Sequence, residues 1–137
     1  MPDLRFILID DNEIDLFFHD KLLRYQGLSK TIIPFNGAQA ALEFLASELE
    51  LPEVAETMIL LDIQMPEMDG FDFLRHFERF PARVRNKCHV LMVSSSLDFG
   101  DISRANANAL VVRLLKKPLN VKDLREIIST LFPDGLP

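Results

Sequence analysis

Five short apolar runs punctuate the chain: Leu4 to Ile9, Thr31 to Phe35, Met58 to Leu61, Val90 to Val93, and a last one within Leu110 to Leu115. Each is followed by a longer stretch in which apolar residues recur every three or four positions, the mark of an amphipathic helix. Ile14, Phe17, Phe18, Leu22 and Tyr25 make the first stripe, and Ala38, Ala41, Leu42 and Leu45 the second. Phe71, Leu74 and Phe77 make the third; Val121, Leu124, Ile127, Ile128 and Leu131 make the last; the fourth, around Ser103 to Ala109, is weak. The phenylalanines on these stripes are expected to pack in the core. The apolar runs lack the polar alternation of a half-exposed strand, so they read as strands covered on both faces of a parallel sheet. The pattern predicts an α/β domain, a (βα)5 doubly wound open sheet of five parallel strands with helices on both faces.

Two connections look long, Ser47 to Glu56 and Phe80 to Lys87, and the basic residues Arg83, Arg85 and Lys87 of the second read as a solvated loop. The 137 residues fit one domain, 1–137, with PDGLP as a short tail, and a single domain without an output domain is the expectation. A net charge of −6 opposes non-specific nucleic-acid binding, which needs a basic surface, and points to proteins or small ligands as partners. Cys88 has no disulfide partner in the chain, sits in an apolar stretch and is expected to be a buried small residue. His19, His76 and His89 share no metal-ligand spacing and read as surface or packing residues. The N-terminus lacks a signal peptide's basic region, and no window reaches the roughly 18 apolar residues of a membrane helix. A cytoplasmic protein is the expectation.

In an open parallel sheet, ligands bind beyond the carboxyl ends of the strands, where the connections diverge to opposite faces. The first strand ends in Asp10 and Asp11, the third in Asp62 and the fourth in Ser94, and the fifth leads to Lys117 and Pro118. In strand order 2-1-3-4-5 the first and third strands are neighbours and their acids share one pocket. Crowded carboxylates repel unless one keeps a proton or a cation intervenes. A hard divalent cation, most simply Mg²⁺ with Mn²⁺ as a substitute, suits oxygen ligands and leaves positions for phosphate. Asp62, a single acid at mid-sheet, is the natural nucleophile for an acyl phosphate, with Lys117 and Ser94 to meet phosphoryl oxygens. Helix capping alone would explain Asp10 and Asp11, because acids favour a helix N-terminus. Beside Asp62 and Lys117 that explanation becomes minor. Ser95 stands next to Ser94 as an alternative hydroxyl.

The motifs "ILIDDNE", "LLDIQMPEMDG", "VLMVSSS" and "LLKKPL", in that order over roughly residues 4 to 131, resemble receiver domains of two-component response regulators. The resemblance implies the flavodoxin-like order 2-1-3-4-5 and a stand-alone regulator. It implies phosphoryl transfer to Asp62 from a histidine kinase or histidine phosphotransfer protein, and a protein target downstream. Asp10 and Asp11 would organise Mg²⁺, with Asp11 and Asp62 as direct ligands beside the backbone carbonyl of Gln64. Lys117 would pair with the phosphoryl group and Ser94 would act as the switch hydroxyl. Gln64 and Ser96 would tune the lifetime of the phosphorylated state. The Lys117-Pro118 bond would be cis, and Asp69 is placed to cap the third helix. The chain departs from the family pattern in three places. Leu114 stands where receivers commonly carry an aromatic. Asn106 and Asn108, which tolerate a left-handed backbone, replace a glycine after the fourth helix. The interval from Ser94 to Lys117 is one residue longer than usual. A hydrolase of the haloacid-dehalogenase type is disfavoured because its two acids stand two residues apart, whereas Asp10 and Asp11 are adjacent. A non-phosphorylated pseudo-receiver is disfavoured by the complete set of site residues.

Overall fold

The computed structural model describes residues 4–135, so the last two residues of the expected tail lie outside it. The elements run β1 (Arg5–Ile9), α1 (Glu13–Tyr25), β2 (Ile32–Phe35), α2 (Ala38–Ser47), β3 (Thr57–Asp62), α3 (Gly70–Phe77), α4 (Ala82–Arg85), β4 (Cys88–Ser94), α5 (Phe99–Ala107), β5 (Val111–Lys116) and α6 (Val121–Leu131). All five strands are parallel, in the order β2-β1-β3-β4-β5.

The uninterrupted apolar runs have the predicted cause. Alternate residues of β1, β3 and β4 feed two separate cores. Ile7, Ile9, Ile59, Leu61, Val90 and Met92 pack beneath α2 and α3 together with Ala105 of α5. Phe6, Leu8, Met58, Leu60, Leu91 and Val93 pack against Leu16 and Leu23 of α1 and Leu124 and Ile127 of α6. A strand with a core on each side shows no polar alternation. Pro34, which cannot donate a ladder hydrogen bond, lies in the edge strand β2, where that loss is tolerated.

Several expectations are corrected. The stripe Ile14, Phe17, Phe18 and Tyr25 faces solvent, Ile14 being 78% and Tyr25 88% exposed, while Leu16, His19 and Leu23 turn inward. Because α1 is apolar on both sides, spacing alone did not say which side faces the sheet. Phe99 is exposed as well, so not every phenylalanine is a core residue. The segment from Phe80 to Lys87 contains the short helix α4 rather than a solvated loop. Arg83 donates to the carbonyls of Leu49 and Leu51, Arg85 donates to the carbonyl of Phe80, and Lys87 pairs with Glu56. The other long connection includes a 3₁₀ turn, Glu48–Glu50, whose Glu48 carboxylate receives a bidentate pair from buried Arg5. The fourth expected helix starts earlier, at Phe99, and buries only Ala105.

Neither Asn106 nor Asn108 is left-handed. Asn108 is extended, and its side chain accepts from the Leu110 N–H. The extra residue between Ser94 and Lys117 is a bulge in β5: Val90 pairs with Val111 but Leu91 pairs with Arg113, leaving Val112 unpaired and exposed. Leu114 is half-buried, with no aromatic at its position. Cys88 is buried as expected, and burial pushes its thiol up to about 12. His76 is exposed, and His89 packs edge-on against Phe132 while bonding Glu56. Among the described residues no helix is long and apolar enough to cross a membrane.

Candidate functional site

β1 and β3 lie side by side, and their carboxyl ends deliver the acids to one edge. β3 ends on Asp62 itself, and Asp10 directly follows β1. The loops that leave this edge are tied down locally. Asn12, not Asp10 or Asp11, caps α1, its side-chain oxygen accepting from the N–H groups of Ile14 and Asp15. That leaves both acids free of the capping duty, although the Asn12 N–H donates to Asp10 Oδ1 at 2.9 Å. Asp69 caps α3 as expected and forms a reciprocal capping box with Asp72. The Gly70 N–H returns to the Ile63 carbonyl at 2.8 Å, closing the loop after Asp62. The Lys117 N–H donates to the Ser94 carbonyl at 2.8 Å, tying the end of β5 to that of β4, and the Lys117-Pro118 bond is cis.

Carboxylate oxygens of Asp10, Asp11 and Asp62 come within 4.8 Å of one another, with Asp10 and Asp62 buried and Asp11 exposed. Lys117 Nζ donates to Asp10 Oδ2 and to Asp15 Oδ2, each at 2.8 Å, and lies 3.4 Å from Asp62 Oδ1. Burial raises the Asp62 pKa from 3.8 to about 7, and the Asp10 charge pushes the same way, against the partial relief that Lys117 gives. Burial works to lower the Lys117 pKa. Its hydrogen bonds to Asp10 and Asp15 and the charges of Asp10 and Asp62 outweigh that, and hold the ammonium above an ordinary lysine. A cleft of about 510 Å³ opens over this group, with Gln64, Ser95 and Pro118 among its lining residues.

The structure thus gathers Asp10, Asp11, Asp62, Gln64 and Lys117. Ser94 is not among the residues that line the cleft. The Ser94 hydroxyl donates to the Ser96 carbonyl at 2.6 Å and accepts from the Ser96 N–H, while Ser95 lines the cleft. Asp15, Phe18 and His19 of α1 also line the cleft and were missed in the sequence. Asp15 did leave a signal, because an acid in the first turn of a helix that starts at this strand edge points back toward it. His19 left none: a histidine on an apolar face looks like any packing residue. Burial lowers its pKa, against the charges of Asp10 and Asp15.

A family model for the response regulator receiver domain matches residues 6–129. The chain belongs to that family. It is 40% identical to a response regulator receiver protein of known structure from Dyadobacter fermentans, with a TM-score of 0.88 over 96% of this chain and 99% of that one. A two-component response regulator from Cytophaga hutchinsonii superposes with a TM-score of 0.87 at 25% identity, covering 98% of this chain and all of the other (100%). The two-component response regulator ORR1 of Oryza sativa is 30% identical over 125 residues, which are 90% of this chain and 53% of that protein. The chain therefore spans about half the length of that relative. Receiver domains in general take a phosphoryl group in two-component signalling with histidine kinases or phosphotransfer proteins, and are not turnover enzymes in the ordinary sense.

Proposed function

We propose that Asp62 is the phosphoryl acceptor of this receiver, and that the donor is a phosphohistidine on a histidine kinase or histidine phosphotransfer protein. One observation carries the reading: a buried carboxylate with two more acids and an ammonium around it, at the mouth of an open cleft. An Asp62 oxygen attacks phosphorus as the P–N bond to the imidazole breaks. An acyl phosphate forms, and the leaving imidazole keeps the electron pair of the broken bond.

Three carboxylates so close together fit a hard divalent cation, Mg²⁺ or Mn²⁺ in its place. When bound, the ion supplies charge neutralisation for the phosphoryl oxygens. Asp10, Asp11, Asp62 and the Gln64 backbone carbonyl would hold it. Lys117 meets an equatorial oxygen, and Ser94 reaches another by giving up Ser96; Ser95 is the alternative hydroxyl. The phosphorylated state is read by a protein partner through α5, β5 and α6. Support for a movable surface there comes from α5, which buries a single residue, and from the bulge that interrupts the β4-β5 ladder.

Incubation with acetyl phosphate and Mg²⁺, followed by intact-protein mass spectrometry, tests the assignment. Wild-type protein should gain one phosphoryl group, and neither Asp62→Asn nor a sample treated with a chelator should gain any. A wild type that stays unmodified, or a variant that takes up phosphate elsewhere at the same rate, overturns it.

A further inference from the structure

The phosphoryl-transfer reading accounts for Asp10, Asp11, Asp62 and Lys117 but gives no task to Asp15. Asp15 lies in the first turn of α1, and its carboxylate is half-exposed, at 32% against 4% for Asp10 and 8% for Asp62. It is not among the acids whose oxygens converge within 4.8 Å, so it is not placed as a further cation ligand. It bonds Lys117 instead, at the same 2.8 Å that Lys117 keeps to Asp10 and well inside the 3.4 Å to Asp62.

The contact is built rather than incidental. The Asp15 N–H donates to the side-chain oxygen of Asn12, and the Asn12 N–H donates to Asp10. With Lys117 bridging Asp10 and Asp15, the four residues close a ring around one ammonium whose side chain is only 12% exposed. The backbone of Lys117 is fixed by its bond to the Ser94 carbonyl, so the side chain alone can reorient. An ammonium has three protons to give, and two are already committed to Asp10 and Asp15, with Asp62 the most distant of the three carboxylates.

We propose that Asp15 is a positioning residue. It keeps Lys117 closer to itself than to Asp62 in the resting protein, at 2.8 Å against 3.4 Å, and Lys117 exchanges Asp15 for a phosphoryl oxygen when the site is charged. The proposal rests on Asp62 being the acceptor. The exchange has two consequences of opposite sign. Binding of a phosphoryl group is opposed by the Lys117–Asp15 bond that must break. Binding of a bare cation is favoured, because a lysine drawn toward Asp15 competes less for Asp62.

The test uses calorimetric titration of wild type, Asp15→Asn and Glu13→Gln with Mg²⁺ alone, and with beryllofluoride, a phosphoryl mimic, in saturating Mg²⁺. Glu13 occupies the same first turn and is exposed, so its variant removes a charge near the helix N-terminus without touching Lys117. Asp15→Asn should bind beryllofluoride about threefold to tenfold more tightly, the range for one charge-assisted, partly solvated hydrogen bond, and should bind Mg²⁺ more weakly. Glu13→Gln should match wild type in both. Beryllofluoride binding that is unchanged or weakened in Asp15→Asn overturns the proposal. Wild-type protein that takes up no beryllofluoride overturns the phosphoryl-acceptor reading instead. The anchoring is then judged by solvent exchange of the Lys117 ammonium protons in NMR. Exchange that is slow in wild type and fast in Asp15→Asn supports it, and equal rates overturn it.

Discussion

At Asp62 burial favours a proton on the carboxylate, and on the proposed reading a cation would compete for the same oxygens. Its folded pKa of about 7, against an ordinary 3.8, means that between those values the native state binds a proton that the unfolded chain releases. The contribution of this group to stability is therefore greatest below about pH 4 and is lost as the pH rises toward 7. Other carboxylates titrate in the same range, so the clean observable is the difference between wild type and Asp62→Asn, which has no charge to lose. In metal-free buffer the variant should melt at about the same temperature as wild type near pH 4. Above about pH 8 it should melt several degrees higher, each kcal/mol being worth roughly 3–5 °C in a domain of this size. Mg²⁺ should raise the wild-type melting temperature at pH 8 and close the gap while leaving Asp62→Asn nearly unmoved. A difference that stays flat with pH would show that Asp62 is not strained as its surroundings indicate.

The strands and loops decide whether that carboxylate is held in place, and Gly70 marks the tightest point. A Cβ there would stand 2.7 Å from the Asp62 carbonyl oxygen and 3.1 Å from Ile63 Cα, both backbone atoms that cannot turn aside. Gly70→Ala should therefore cost about 1–3 kcal/mol by overpacking. It should also weaken Mg²⁺ binding, because relief comes by moving the end of β3; thermal melts and a metal titration on the same sample check both. The strands were legible in the sequence because burial on two faces leaves an unbroken apolar run. Asp10, Asp11, Asp62 and Lys117 were legible because each sits at a strand end, where the topology makes position informative. What was not legible depended on packing against neighbours. The orientation of α1 is set by which of its two apolar sides meets the sheet. The helix at Ala82–Arg85 is held by side chains that reach the carbonyls of Leu49 and Leu51. The bulge at Val112 showed in the sequence only as one residue too many, with nothing to say where it fell. Asp15 left its place in the first turn of α1 as a signal, but its bond to Lys117 was hidden for a related reason: that partner is 102 residues away.

Over the whole molecule, the outward side of α1 is the feature that stability does not explain. Ile14, Phe17, Phe18 and Tyr25 lie exposed along one helix of a chain with net charge −6, and Lys21, 5.4 Å from the Phe17 ring, partly covers them. Contiguous exposed apolar residues usually mark a surface that a partner covers. This one reaches the cleft, because Phe18 lines it together with Asp62. On the proposed reading a protein donor brings its phosphohistidine within bonding distance of Asp62, and an approach over α1 would cover this rim of the cleft. A small donor such as acetyl phosphate need not. Replacing Ile14 and Phe17 together by serine should then separate the two donors. Exposed side chains carry little folding energy, so the melting temperature should stay near wild type. Labelling by acetyl phosphate should be unchanged, since neither residue touches the acids. Transfer from a phosphorylated kinase or phosphotransfer protein should fall about tenfold or more, since an aromatic anchor in an interface is worth on the order of 1–2 kcal/mol and each 1.4 kcal/mol is a factor of ten. Equal losses with both donors would mean that the substitutions disturb the acid cluster through α1. No loss with either would mean that the donor approaches from the β4-β5 side, and that this apolar face serves another contact.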